Sequence, residues 1–295
     1  MNRYQQAVKV TMLGVYINVT LILLKLFAGI IAHSGAIIAD AFHSFSDLST
    51  DIALLWGNRI AAKPADHDHK YGHGRAETMT GAGIGIFLFL VGGAILFGGI
   101  SQIIGILGGR AIVRPGWFAA FAAFVSIICK EWLYRVTIII GNETQNQAVV
   151  ANAWHHRSDA LSSIGVLTGI SGAILLGKSW RILDPVAAVT VSFFIIKAAY
   201  DVIGKSFYEL MEGSLSGEQE QKILELVKGI KGAEQAHRLR TRRVGPNVAI
   251  ELHICVNKNL NIQQGHDIAT KVEQILKSHF GQETFVSVHV EPLEE

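Results

Sequence analysis

The chain has 295 residues, half of them apolar and 17% charged, against about 25% charged in an ordinary soluble domain, which excludes a wholly soluble globule. Residues 1–205 carry 27 of the 50 charges and residues 206–295 carry 23, so composition divides the chain into an apolar membrane part and a soluble tail. A net charge of +2, with ten basic against thirteen acidic residues in the tail, gives no basis for a nucleic-acid partner.

A spanning helix needs about 20 mainly apolar residues, and six stretches supply them: 9–31, 34–57, 78–107, 116–138, 148–177 and 182–204. These predict an all-α six-helix transmembrane domain over residues 1–212. The first stretch is too long for a signal-peptide core and runs into the second without a small-residue cleavage pattern, so it is expected to be retained. Lys/Arg residues concentrate on one side of the spans (Arg3, Lys9, Arg59, Lys63, Lys70, Arg75, Lys205). The other side has no charge at 33–35 and then only Arg110, Arg114, Lys178 and Arg181. Both termini are therefore expected in the cytoplasm, with the protein in the cell (inner) membrane.

The second span carries Asp40, His43, Asp47 and Asp51, and ionisable groups inside a span ordinarily face a bundle interior or a water pathway. Asp40 reads as a helix-to-helix hydrogen-bonding group and Asp51 as a lining of the cytoplasmic mouth. After it, the segment Pro64 to Gly74 packs three His and two Asp beside the membrane. Within it Asp66, His69 and His73 have spacings that allow chelation, although the same composition also fits a solvated basic loop. Arg75 closes the loop and could pair with an acidic residue such as Glu212. The third span holds ten glycines between Gly81 and Gly109, including Gly81-x3-Gly85, the composition of a closely packed structural helix.

The fifth span carries His155, His156, Arg157 and Asp159. Two His-x3-Asp pairs result, His43 with Asp47 and His155 with Asp159, and this spacing puts both members of each pair on one helical face. At 1.5 Å per residue, His43 and Asp47 lie roughly 14 and 20 Å below the outer face, and His155 and Asp159 roughly 11 and 17 Å above the inner face of a ~30 Å core. All four come near the midplane. Two nitrogens and two carboxylates there make an N2O2 set for a divalent metal, Zn(II) first. With neutral imidazoles the ligands sum to −2, which cancels the cargo but is costly without it, so protons are expected to exchange for metal at one site.

The tail predicts a helix over 216–230, a strand over 236–243, a Gly245-Pro246 turn, a strand over 247–256, a helix over 263–280 and a strand over 284–290. That is a cytoplasmic α+β domain over 213–295, small enough to benefit from a dimer interface or a bound metal. It carries His237, His253, His266, His289 and Glu291, and the last two share a strand face. These fit a second metal site or simply solvated histidines. Arg238, Arg240, Arg242 and Arg243 read as a solvated strand face, and His279 as surface. Cys129 and Cys255 form no metal-type spacing and read as packing residues.

The stretches 34–47 (SGAIIADAFHSFSD), 63–75 (KPADHDHKYGHGR) and 153–159 (AWHHRSD), with His237-Arg-Leu-Arg-Thr-Arg in the tail, resemble the cation diffusion facilitator family over nearly the whole chain. The resemblance implies a homodimer of six-span protomers, each with a metallochaperone-like (ferredoxin-like) cytoplasmic domain, exporting Zn(II) or a similar ion against protons. It maps the transport site onto His43, Asp47, His155 and Asp159, a loop site onto Asp66, His69 and His73, and a tail site onto His237, His253, His266, His289 and Glu291. Zn(II) would be both cargo and a regulatory or structural ion. Relatives often carry Asp where Glu291 stands. Fe(II), Mn(II), Co(II) and Cd(II) remain alternative cargoes. The rival readings are an intramembrane metalloenzyme, for which no His-Glu-x-x-His or Gly-x-Ser-x-Gly signature is found, and a metal-sensing membrane receptor.

Overall fold

Lipid offers the backbone no hydrogen-bond partners, so a chain crossing it must pair its own N–H and C=O groups, and an uninterrupted apolar run does so as a helix. The computed structural model has six helices of 27 to 33 residues: α1 Arg3–Ile31, α2 Gly35–Ala61, α3 Arg75–Leu107, α4 Trp117–Thr144, α5 Gln147–Leu175 and α6 Leu183–Leu210. It describes the backbone of residues 3–61, 63, 66–110, 113–144 and 147–293; the side chains of 3–8, 50–59, 61, 144, 147, 148 and 151 fall outside that description. Asp51, Arg3 and Arg59 are among the latter. Each predicted span coincides with one helix. α1, α4 and α6 run up to six residues beyond the apolar stretches, because polar helix-forming flanks continue the turn. Among the described residues, four stretches meet length and apolarity requirements for crossing a membrane: Lys9–Ile31, Arg75–Leu107, Asn152–Leu175 and Lys178–Leu210.

The chain divides into two compact units, Met1–Asp51 with Ile84–Asp201, and Ile52–Gly83 with Val202–Glu295. The first is held by small residues that let helices close up: Ala32, Ala36, Ala119, Ala123 and Ala199 alternate with Ile37, Leu88, Ile170 and Ile195 in one buried cluster. A Cβ at Gly29 of α1 would lie 2.4 Å from Ile38 Cγ1 of α2. In α3 the close approach to α6 falls at Gly92, against Ile196, and at Gly99, against Val189. A side chain at Gly83, Gly93 or Gly98 would meet open space. Thus the seven-residue repeat of Gly92 and Gly99 forms the α3 to α6 seam.

The entry of the chain into α2 is fixed from α6. Buried Asp184 accepts hydrogen bonds from Ser34 Oγ and, at 2.9 Å, from Gly35 N–H, satisfying donors that the first turn of α2 leaves free and complementing its positive end. That anchor ties the start of α2, the helix that carries His43 and Asp47, to α6. Large apolar side chains such as Leu23, Phe27, Phe97 and Phe193 remain exposed on the helices, as a lipid-facing surface requires.

In the second unit the tail follows the predicted order: α7 Gly217–Lys228, β1 Glu234–Val244, β2 Asn247–Val256, α8 Ile262–Phe280 and β3 Phe285–Pro292. Ser216 caps α7, and Asn261 with Gln264 forms a capping box on α8. The sheet order is β1-β2-β3, antiparallel and then parallel. Period-two alternation sends Ile250, Leu252 and Ile254 into a core shared with Ile223, Val227, Val272 and Leu276, while Glu251, His253 and Cys255 lie on the opposite face. The register aligns His237 with His253 and His253 with His289, one histidine on each strand. β1 breaks register on both sides of His237, and Gln235 and Arg238 take left-handed backbone at φ 44° and 47°. Bulges of this kind re-aim a side chain, here the imidazole of His237.

Candidate metal centre

The i,i+4 spacing on α2 and on α5 turns each His-x3-Asp pair to one helix face, and the first unit brings the two faces together. Donor atoms of His43, Asp47 and Asp159 all lie within 4.8 Å of one another. His155 joins them, its Nε2 3.9 Å from Asp47 Oδ2 and 3.8 Å from Asp159 Oδ1. A tetrahedral ion with bonds of about 2.1 Å holds its donors about 3.4 Å apart, so to close on a metal the His155 contacts must tighten by about half an ångström and the other donors by up to about 1.4 Å. Nδ1 of His43 is buried and has no hydrogen-bond partner among the described residues, which suits a nitrogen that serves a ligand. The four residues expected from sequence to converge are therefore neighbours.

Their surroundings add groups that the pattern of His and Asp did not single out. Lys130 of α4, 2% exposed, sets its Nζ 2.6 Å from Asp159 Oδ2. Lys25 of α1, fully buried, lies 2.8 Å from Asp40 Oδ2 and donates to Ser44 Oγ at 3.1 Å. Ser163 of α5 donates to both oxygens of Asp40, at 3.2 and 3.1 Å. Asp40 is thus the helix-to-helix bonding group expected of it, now tying α1, α2 and α5. Both lysines were legible, because each interrupts an apolar run; the rule that marks ionisable residues inside spans applies to them as it does to Asp40. His156 is buried and joins no donor group among the described residues; a Cβ at Gly14 of α1 would lie 3.4 Å from its Nε2. Arg157 donates to Tyr134 Oη at 3.1 Å and lies over the rings of Tyr134 and Trp154.

In the loop, Asp66 builds its own turn, its Oδ1 accepting from the N–H groups of Asp68 (3.0 Å) and His69 (2.7 Å). The His69 amide, foremost, holds the Asp66 carboxyl below its ordinary value. The turn brings His69 Nδ1 and His73 Nε2 each to 3.4 Å from Asp66, one on either oxygen, so the three expected residues form a single group of donors. Beneath it Gly74 lies so close to the β1–β2 turn that a Cβ would be 2.7 Å from Val244 O.

On the outer face of the tail sheet, Glu291 gathers the row of histidines. Its Oε1 lies 2.8 Å from His253 Nδ1 and 3.6 Å from His289 Nε2, and its Oε2 lies 3.1 Å from His237 Nε2. The hydrogen bond from His253, above all, holds the Glu291 carboxyl below its ordinary value. His266 stands apart: it is exposed on α8, its Nε2 3.4 Å from Thr270 Oγ1, and it joins no donor group among the described residues. Buried Cys255, which reads from sequence as a packing residue, does join one, with His237 and Glu291. Sequence spacing could not reveal this, because the register that pairs Cys255 with Glu291 across β2 and β3 is a tertiary fact. Arg75 pairs with Glu212, as its position after the loop suggested, and Arg242 of β1 approaches the same carboxylate at 3.8 Å while binding Glu251 at 2.7 Å. Arg242 is therefore tied down, unlike the solvated strand-face residue expected.

The family model for the cation efflux transmembrane domain matches residues 11–211, and that for the cytoplasmic domain of cation efflux proteins matches residues 215–293. The manganese efflux system protein MneP of Bacillus subtilis is 32% identical over 294 residues, spanning 98% of this chain and 97% of the relative. Magnetosome protein MamB of Magnetospirillum gryphiswaldense is 28% identical over 275 residues, spanning 93% and 90%. A solved structure of CzrB in its zinc form is 29% identical, covering 27% of this chain and 90% of its own, with a TM-score of 0.24. A membrane part with, among the described residues, four apolar helices long enough to span, an α+β tail and two family models that together take in most of the chain lead to one assignment: it belongs to the cation diffusion facilitator, or cation efflux, family of metal transporters.

Proposed function

We propose that the protein exports Zn(II) in exchange for protons, through a membrane site made of His43, Asp47, His155 and Asp159. The observation that carries this reading is the meeting of one His-x3-Asp pair from α2 with another from α5, within metal-binding reach and inside an apolar bundle. Two imidazoles and two carboxylates suit a four-coordinate borderline ion better than a large hard one. We assign these residues to binding and release of cargo: four ligands complete a tetrahedral ion, whereas an enzyme would need an open coordination position with a general base beside it. We take all six long helices as spans, both termini as cytoplasmic, residues 1–212 and 213–295 as the two domains, and the functional unit as a homodimer. The loop triad Asp66, His69 and His73 and the tail cluster His237, His253, His289 and Glu291 serve as accessory zinc sites. His266, exposed on α8, is free to meet a second copy.

Manganese(II) is the second reading, favoured by similarity to a protein named for manganese efflux. Purified protein in liposomes tests the proposal. Asp47→Ala and Asp159→Ala should each abolish zinc flux while leaving the detergent-solubilised protein monodisperse, and a panel of divalent ions should rank zinc above manganese. Undiminished flux in both variants would turn the reading toward a metal-sensing receptor with a structural membrane site.

A further inference from the structure

The two buried lysines of the membrane unit stand in different settings. The carboxylate of Asp40 is engaged by Lys25 and by Ser163, and Asp40 belongs to no group of metal donors among the described residues. That pair is a structural clamp. Asp159 is divided: Oδ2 is held by Lys130 at 2.6 Å, whereas Oδ1 lies toward the site, 3.8 Å from His155 Nε2. The Lys130 side chain is 2% exposed and is carried on α4, a helix that contributes none of the four ligands.

From this geometry we infer that Lys130 is a tethered counter-cation which competes with the transported metal for Asp159 and so sets the affinity of the site. The inference rests on the reading of His43, Asp47, His155 and Asp159 as the transport site. A carboxylate that gives one oxygen to an ammonium in a low-dielectric interior has less charge to offer a metal, and a short charge-assisted bond of this kind must be loosened or shared when cargo arrives. The four ligands sum to −2 and Lys130 supplies +1, so the pocket without cargo carries about half the charge that its ligands alone would give. Two consequences follow. The cargo-free pocket is easier to hold in the bilayer, and cargo is bound weakly enough to leave, as transport demands. Lys130 acts through Asp159 and is a positioning residue.

The test uses the purified full-length protein, zinc alone as probe, and the zinc binding that Asp47→Ala removes as the measure of the membrane site, which separates it from the loop and tail. Removing the ammonium in Lys130→Met should tighten that binding by about tenfold or more, because the competitor is gone. Lys130→Gln retains a hydrogen-bond donor without the charge, should also tighten binding, and carries the test if the methionine variant does not fold. Lys130→Arg should stay within about threefold of the parent, its guanidinium keeping the charge. In liposomes the Met and Gln variants should show a lower half-saturating zinc concentration together with a lower maximal rate, the signature of a site that binds well and releases slowly. A lysine that merely supports the helix would lower the rate and leave half-saturation unchanged or raised. Lys25→Met should leave the zinc affinity of the site unaltered in folded protein. Unchanged or weakened zinc binding in folded Lys130→Met or Lys130→Gln overturns the inference and leaves the transport reading standing. If Asp47→Ala removes no zinc, the transport reading falls and takes the inference with it.

Discussion

Glu212 shows what one residue can be asked to do. It takes left-handed backbone, φ 61°, where a glycine would be less strained, and its carboxylate is bonded to Arg75 and approached by Arg242. The hydrogen bond from Arg75, foremost, and the charges of both arginines hold its carboxyl below the ordinary glutamate value of 4.5. A carboxylate depressed in the fold contributes its stability in full above that ordinary value and loses it as pH falls through the lower, folded one. The group is half exposed, so the contribution is that of a surface pair, about 0.5–1 kcal/mol. Glu212→Gln should therefore melt slightly below the parent at pH 7, and the two curves should converge as the pH is lowered beneath 4.5; parallel curves from pH 7 to 3 would show that the pair adds nothing. At this scale the residues proposed as membrane ligands stood out in the sequence, because a histidine or aspartate in an apolar run has few other reasons to be there. The orientation of individual groups was not. Whether Asp159 faces a metal or a lysine depends on which way Lys130 of α4 points, and no local pattern encodes that.

Between elements, small residues decide how near two helices come, and so whether ligands on separate helices can share an ion. α1 crosses α2 at Gly29, where a Cβ would meet Ile38 Cγ1 at 2.4 Å and Ile37 Cγ2 at 2.9 Å. Ile37 and Ile38 lie in the same helix as His43 and Asp47, so pushing α1 away there loosens the support of the ligand helix. Gly29→Val should cost about 1–3 kcal/mol by overpacking, seen as a lower unfolding temperature in detergent and as weaker zinc binding by the membrane site. Gly93→Ala is the control, since a Cβ there meets nothing within 4 Å and alanine is the better helix former. Equal melting of the two variants would show that the α1 to α2 seam does not limit stability. The existence of these helices, though not their polar ends, and the bounds of β2 to the residue could be read from periodicity, since hydrophobic pattern and turn residues such as Gly245 act locally. The bulges of β1 around His237 could not, because they arise from the pairing of β1 with β2.

Over the whole molecule, the expectation of proton exchange rests on charge, and Lys130 revises that arithmetic. With an internal cation already beside Asp159, fewer protons are needed to balance the site than the ligand sum of −2 suggests, but the two imidazoles still compete for protons and metal. Zinc uptake into proteoliposomes should therefore depend on an opposed proton gradient, and collapsing that gradient with nigericin should reduce it severalfold or more; uptake indifferent to the gradient would remove the antiport step. Composition alone divides the chain into an apolar part and a charged tail, periodicity yields every long helix and strand, and isolated polar residues within apolar runs mark the candidate ligands. These features are written in sequence because burial in lipid or in a sheet core acts on each segment by itself. What only the tertiary structure decided is which polar groups meet: Glu291 at the centre of three histidines, Cys255 beside it, Lys25 on Asp40 and Lys130 on Asp159. Apart from His289 and Glu291, neighbours on one strand, those meetings join residues distant in the chain, and their energy exists only once the fold has brought both partners together.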